Sequence, residues 1–233
     1  MLPLPPPPPP PRDLLTDILT VGARYPLVLA GDCAVRAHGL APGPARETVP
    51  LELATESPEP MDRIAAMVRH GLTERGLRVR PLETDPLSAR LLVTDPGTGE
   101  ERTVDLLKET LWRPPVITDL GPALALEDLI GTKVRALTDR GAARDLIDVH
   151  AAAAHFSFPD LEELGRRHAW DELDLADLQS RLEATELLDD REFTARGLAE
   201  ESVPVLRGWA RAWADDIAER LLEEEALRPP AEE

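Results

Sequence analysis

The chain has 233 residues, 42% of them apolar and 3% aromatic, with a formal net charge of -18. That apolar share supports a buried core and excludes a disordered chain. The acidity excludes DNA or an anionic membrane as a partner held by long-range attraction, and an RNA partner would need a local basic patch. The single cysteine, Cys33, rules out an internal disulfide and fits a reducing cytoplasm. No stretch of about 18 apolar residues offers a membrane span. The opening MLPLPPPPPPPRD lacks the basic start and apolar run of a signal peptide. Arg far outnumbers Lys, and Ala, Pro and Gly are frequent, which reads as a high-GC coding bias.

Residues 1–12 form a polyproline tract expected to be an extended, solvated PPII segment, either a plain tail or a ligand for a PPII-binding groove. Leu14, Leu15, Ile18 and Leu19 then carry helical spacing over Asp13–Val21. Leu27-Val28-Leu29-Ala30 is a short apolar run of the buried-strand kind, ended by Gly31, with a short helix expected from Cys33 to His38 and stopped by Gly39. After a loop at 41–47, a second strand is expected over Val49–Thr55. A helix follows over Ser57–Arg75, with Ser57 before Pro58 as its start signal. Leu77–Leu82 reads as a strand, and Ala89–Thr94 and Arg102–Leu107 as the arms of a hairpin turning at DPGTGE.

Residues 112–122 read as a Pro-containing connector. Beyond it the pattern is helical: Leu126–Arg140, Ala143–His155, Asp160–His168, Leu173–Leu188 and Ser202–Leu227. The expected organisation is an α/β part with a mixed sheet at 13–118, an all-helical part at 119–228 and a short tail at 229–233. Trp209 and Trp213, one turn apart, are expected to pack onto the helical core.

Two stretches can carry chemistry. In AGDCAVRAHGLAPGPARETVPLELAT a strand runs into Gly31 and a helix, the layout that aims backbone N–H groups at a phosphate. Acids at alternate positions of the following strand, joined by a third on a neighbouring strand, would share one face and could hold Mg²⁺ against a triphosphate. The alternate positions here are Pro50 and Glu52, and the neighbouring strand offers Asp105 between apolar residues, so these two acids are either a metal site or solvent-facing carboxylates. The second stretch, from Lys133 to Asp148, puts Lys133, Ala136, Leu137 and Arg140 on one helix face and then brings Arg144, Asp145 and Asp148. It is the best local anion site in an acidic chain, or else a set of interhelix salt bridges. Cys33 has no evident base nearby and reads as a small packed side chain, and His38 as a helix-ending residue with a local hydrogen bond.

Together these stretches resemble the bacterial nucleotidyltransferase toxins of the AbiEii/AbiGii abortive-infection family, within the polymerase-β-like nucleotidyltransferases. Leu29-Ala30-Gly31, Ala37-His38-Gly39-Leu40, Arg46-Glu47-Thr48 and Leu53 follow the first motif. Lys133, Ala136, Leu137 and Arg140, then Arg144-Asp145-Leu146-Ile147-Asp148, follow the second. The resemblance implies a mixed sheet with flanking helices closed by a helical domain. It implies transfer of a nucleotide from an NTP, with Mg²⁺, to an RNA (a tRNA end, for instance) or a protein, and an antitoxin partner. Carried onto this chain, it assigns Glu52, Asp105 and Lys133 to catalysis. It assigns Gly31, Asp32, Cys33, Arg46, Thr48, Lys133, Arg140, Arg144, Asp145 and Asp148 to nucleotide binding.

The chain departs from the pattern where the resemblance expects most. Asp32 stands at the second small residue of the phosphate turn, and Pro50 at the first metal aspartate. Pro50 supplies no ligand and no backbone donor. Asp32 sets a like charge beside a triphosphate, at a cost of about 1–4 kcal/mol depending on the effective dielectric. Either Asp32 joins Glu52 and Asp105 around one metal in an altered but working site, or the member is degenerate and binds nucleotides or proteins without catalysing transfer.

Overall fold

The computed structural model describes residues 13–41 and 50–227. The polyproline tract, the segment 42–49 with Arg46, Thr48 and the expected strand start at Val49, and the tail from 228 lie outside them. Asp13 caps α1 (Leu14–Val21), its carboxylate accepting from the Leu15 N–H at 3.2 Å. β1 is only Val28–Leu29, and α2 (Gly31–Ala37) begins two residues before the expected start at Cys33. Gly31, at φ +49°, opens the helix itself.

β2 (Leu51–Thr55) lies antiparallel to β1. The next helix, α3 (Met61–Glu74), starts after Pro60 and not at Ser57. Pro58 and Pro60 hold the residues before them out of the helical region, so the Ser-Pro signal opens a loop. There the Ser57 N–H donates to Thr55 Oγ1 at 3.1 Å. β3 (Arg78–Thr84), β4 (Ser88–Thr94) and β5 (Glu101–Lys108) make an antiparallel meander, and β5 also runs parallel to β2.

The expected connector at 112–122 instead contains a hairpin, β6 (Val116–Thr118) and β7 (Gly121–Ala123), and β7 pairs parallel with β1. Strands of three residues show no alternation, and Pro122, unable to donate a ladder bond, disguises the second one. The result is a mixed sheet of seven strands, ordered β3-β4-β5-β2-β1-β7-β6. It extends past the expected change of character at 118, and helices take over only from Leu126.

α4 (Leu126–Arg140) spans the expected residues and ends on Gly141 at φ +59°. α5 (Ala143–Ala151) stops short of the expected His155, and α6 (Phe158–His168) begins earlier, behind a Ser157–Asp160 capping box. α7 (Leu175–Ala184) passes into a 3₁₀ turn at Thr185–Leu187. α8 (Asp190–Thr194), too short to show a helical period, was not foreseen, and α9 (Val203–Leu227) is the long last helix. Trp209 and Trp213 pack as expected. Trp213 is fully buried, and its Nε1 donates to Glu162 Oε1 at 2.9 Å.

α1 and α3 cover one sheet face, formed by Leu53, Leu91, Val93, Val104 and Leu106. On the other, α2 packs Ala34 and Val35 on Leu29 and Ala54, beside Leu124 and Leu129. The helices after α4 enclose their own core. A buried polar joint fixes α4 against the end of β5: Arg135 donates to both oxygens of Glu109 (2.6 and 3.0 Å) and to the His168 carbonyl (2.8 Å).

Candidate functional site

Period-two alternation decides what faces the α2 side of the sheet. On β2, β4 and β5 the apolar neighbours turn toward α1 and α3, so Glu52, Arg90 and Asp105 point the other way. Strand register puts them in one row: Glu52 is opposite Asp105, and Asp105 is opposite Arg90. The nearly buried Asp105 receives both arms of Arg90, Nε to Oδ1 at 2.7 Å and Nη2 to Oδ2 at 2.9 Å. That bidentate pair, with the Asp105 charge and a smaller contribution from Glu52, raises the Arg90 guanidinium further above its ordinary range.

Glu52 turns to α2. Its Oε2 accepts from the Asp32 N–H at 3.0 Å, and a Cβ at Gly31 would stand 1.7 Å from the same oxygen. Glycine is required there twice over, by φ and by this approach. The corner expected to hold a phosphate is filled by a carboxylate of the chain itself.

The Asp32 side chain leaves the sheet for the helical region. Oδ1 lies 3.3 Å from Lys133 Nζ on α4, and Oδ2 lies 3.9 Å from Nη1 of Arg196, just after α8. Lys133 is 6% exposed and meets Asp148 Oδ2 on α5 at 2.6 Å. Burial alone would lower the Lys133 ammonium, but the charges of Asp148, Asp32 and Glu52 outweigh it and hold the group above its ordinary value. Burial acts oppositely on Asp148, whose carboxyl is pushed up to about 6 despite the adjacent lysine. At the end of α4, Arg140 donates from Nε and Nη2 to the fully buried Asp145 of α5, both at 2.7 Å, with Arg144 Nε 3.7 Å from the same carboxylate.

Of the expected site residues, Gly31, Asp32, Cys33, Glu52, Asp105, Lys133 and Asp148 thus lie on the α2 side of the sheet or the helices facing it. Arg140, Arg144 and Asp145 form a second cluster, about two helical turns along α4 from Lys133. Burial raises the half-buried Cys33 thiol, consistent with a packed residue. His38 ends α2, but its hydrogen bond is not local: Nε2 donates to the distant Leu124 carbonyl at 2.8 Å, tying the helix to the strand after β7. Pro50 precedes β2 and is half-buried.

Two residues of the site were not foreseen. Arg90 had a signal, being the charged position of the apolar run Ala89–Val93 that the hairpin turn places opposite Asp105. Arg196 had none, since it follows the unforeseen α8.

A divalent ion of the expected kind needs one or two carboxylates with oxygens free to hold it. The residues as arranged do not fit one. Asp105 is bound to Arg90, Asp32 to Lys133 and Arg196, Glu52 to the Asp32 amide, and Pro50 offers nothing. Among the described residues no three His, Cys, Asp or Glu side chains gather as a metal-holding group. No helix of the described residues is long and apolar enough to cross a membrane.

No match was found among curated proteins. Among solved structures the fold is similar to MenT4, a nucleotidyltransferase toxin from Mycobacterium tuberculosis H37Rv, at 16% identity and a TM-score of 0.58, covering 87% of this chain and 80% of that one. It is also similar to an H. pylori protein assigned as a nucleotidyltransferase, at 17% identity and a TM-score of 0.53, covering 90% and 94%. At such identities these likenesses show the fold alone. The family model described as "Nucleotidyl transferase AbiEii toxin, Type IV TA system" matches residues 97–229, more than half of the chain and all of the Lys133–Asp148 block. The chain belongs to the AbiEii nucleotidyltransferase toxin family.

Proposed function

We propose that this chain is a degenerate member of its family, one that keeps the nucleotidyltransferase scaffold and acts by binding a nucleotide or a protein, without nucleotidyl transfer. The observation that supports this reading is the Glu52 carboxylate seated at the Asp32 amide against Gly31, at the turn that the resemblance assigns to the NTP phosphates. The half-exposed Arg140, Arg144 and Arg196 remain as cations for an anionic ligand. An antitoxin is the partner class that the family description suggests.

A second reading is nucleotide transfer from an NTP to an RNA or protein acceptor through an altered site of Glu52, Asp105 and Asp32, with Lys133 and Arg140 on the phosphates. It is favoured by the partial exposure of Arg90 and Arg196, which leaves both cations room to swing away. Thermal unfolding with each NTP, with and without Mg²⁺ or Mn²⁺, separates the two. A ligand at 100 times its dissociation constant adds about 2.7 kcal/mol. The first reading expects no metal-dependent rise in Tm and no consumption of labelled NTP. A metal-dependent rise with one NTP, joined by turnover that Glu52→Ala and Asp105→Ala abolish, establishes the second and overturns the first.

A further inference from the structure

The acidic row on the α2 side of the sheet already contains a cation. Arg90, Asp105 and Glu52 stand side by side on β4, β5 and β2 and point to one face. The two carboxylates are lateral neighbours at sheet spacing, about 5 Å apart at the backbone. Two like charges so close, with Asp105 nearly buried, require a compensating positive charge. The guanidinium supplies it with two short, planar hydrogen bonds, the geometry in which arginine binds a carboxylate most strongly. Both oxygens of Asp105 are thereby engaged. Glu83 and, to a smaller degree, Glu52 add to the Asp105 charge in holding the Arg90 guanidinium protonated.

We infer that Arg90 is the resident cation of this site, holding both oxygens of Asp105 from the side away from Glu52, and that it thereby keeps the wild-type chain from binding a divalent ion on these two carboxylates. The inference deepens the proposed function and rests on its reading of the site as one that works without metal. It adds a specific residue and a latent site: with the guanidinium gone, Asp105 and Glu52 form a two-carboxylate site open to a small hard cation such as Mn²⁺ or Mg²⁺, which would keep most of its water ligands.

The test is Mn²⁺ binding to the full chain without nucleotide, followed by electron paramagnetic resonance of the free ion. The acidic surface binds Mn²⁺ diffusely in every variant, so differences carry the result. Arg90→Gln is expected to gain one site at least tenfold tighter than anything in the wild type. The Arg90→Gln, Asp105→Asn double variant should lose it again. Arg90→Lys, which keeps the charge, should not gain it. Asp105→Asn in the wild-type background should leave Mn²⁺ binding unchanged, and this comparison stands alone should Arg90→Gln fail to fold. The inference is overturned by Mn²⁺ binding in the wild type that Asp105→Asn removes. It is also overturned by a folded Arg90→Gln that binds no better than the double variant, or by an equal gain in Arg90→Lys. NTP turnover by the wild type would sink the proposed function without deciding Mn²⁺ binding in the absence of nucleotide. Asp105-dependent Mn²⁺ binding by a chain without turnover would sink only the inference.

Discussion

Replacing Lys133 by Met removes the charge that joins α4 to both Asp148 and Asp32 and keeps an apolar stem of similar length. Asp32 retains Arg196 and is a quarter exposed, so water takes over part of its loss. Asp148 has no such recourse: it is 7% exposed, and it pairs with Lys133 at 2.6 Å. Stripping one partner from a buried ion pair costs about 3–5 kcal/mol. That cost must depend on pH, because Asp148 can escape it by taking up a proton.

The folded-state carboxyl of Asp148 sits at about 6, raised from an ordinary 3.8. A raised carboxylate contributes stability that is complete below the ordinary value and is lost as pH rises through the folded one. In the wild type that loss is finished slightly above pH 6. In Lys133→Met the lysine no longer pulls the carboxyl down, so the loss continues to higher pH. Relative to the wild type, the variant's penalty therefore grows from pH 6 upward by up to about 1.4 kcal/mol per pH unit. Urea unfolding at about pH 5.5 and about pH 8 should give a much larger loss at the higher pH, toward the 3–5 kcal/mol limit. An equal loss at both values, or a variant as stable as wild type at the higher one, would falsify the account of Asp148 as a buried, lysine-dependent carboxylate.

Gly31→Ala should cost at least about 3 kcal/mol in urea unfolding, since its Cβ meets Glu52 Oε2 and its φ is positive. Adding Glu52→Ala should recover the clash and leave about 1–2 kcal/mol of backbone strain, so simple additivity of the two changes would refute the close approach. Arg140→Leu should lose about 3 kcal/mol by leaving the fully buried Asp145 with only the longer contact to Arg144; a loss under about 1 kcal/mol would mean Arg144 closes the gap. Trp213→Phe should lower stability by about 2–3 kcal/mol, through lost volume and an unmet bond to Glu162, and an unchanged Tm would contradict the packing of the helical core.

Where a residue pattern repeats, the sequence was enough. α4 was readable to the residue because its apolar face recurs through 15 residues and ends on glycine. The hairpin of β4 and β5 was readable from its alternation and turn. β6, β7 and α8 were illegible because three- and five-residue elements do not complete a period, and their place is set by the neighbours they complete. Ser57–Pro58 misled because a helix signal two residues before a second proline becomes a loop. In the site, the spacing from Lys133 to Asp148 suggested salt bridges of Asp145 and Asp148 with Arg140 and Arg144, but not that Lys133 would take Asp148. Lys133 takes Asp148 and Asp32, while Arg140 takes Asp145. That choice depends on the turn at Gly141, which sets how α5 faces α4.

The same pairings decide what restoring the family pattern requires. Pro50→Asp alone adds an acid beside Glu52, yet Glu52 still holds the Asp32 amide and Arg90 still holds Asp105. The added charge would sit among carboxylates with no new cation and should lower stability without creating nucleotide binding. Asp32→Gly alone leaves Lys133 paired with Asp148 and removes the charge that opposes a phosphate, at about 1–4 kcal/mol, but leaves the metal position without its first ligand. The two changes are therefore expected to be strongly non-additive. Only together do they supply both a second carboxylate for an ion able to compete with Arg90 and an uncharged turn for the phosphates. Metal-dependent Tm shifts with NTPs across the four combinations measure this directly. A full shift in either single variant would show that one departure, and not the network of internal pairs, closes the site.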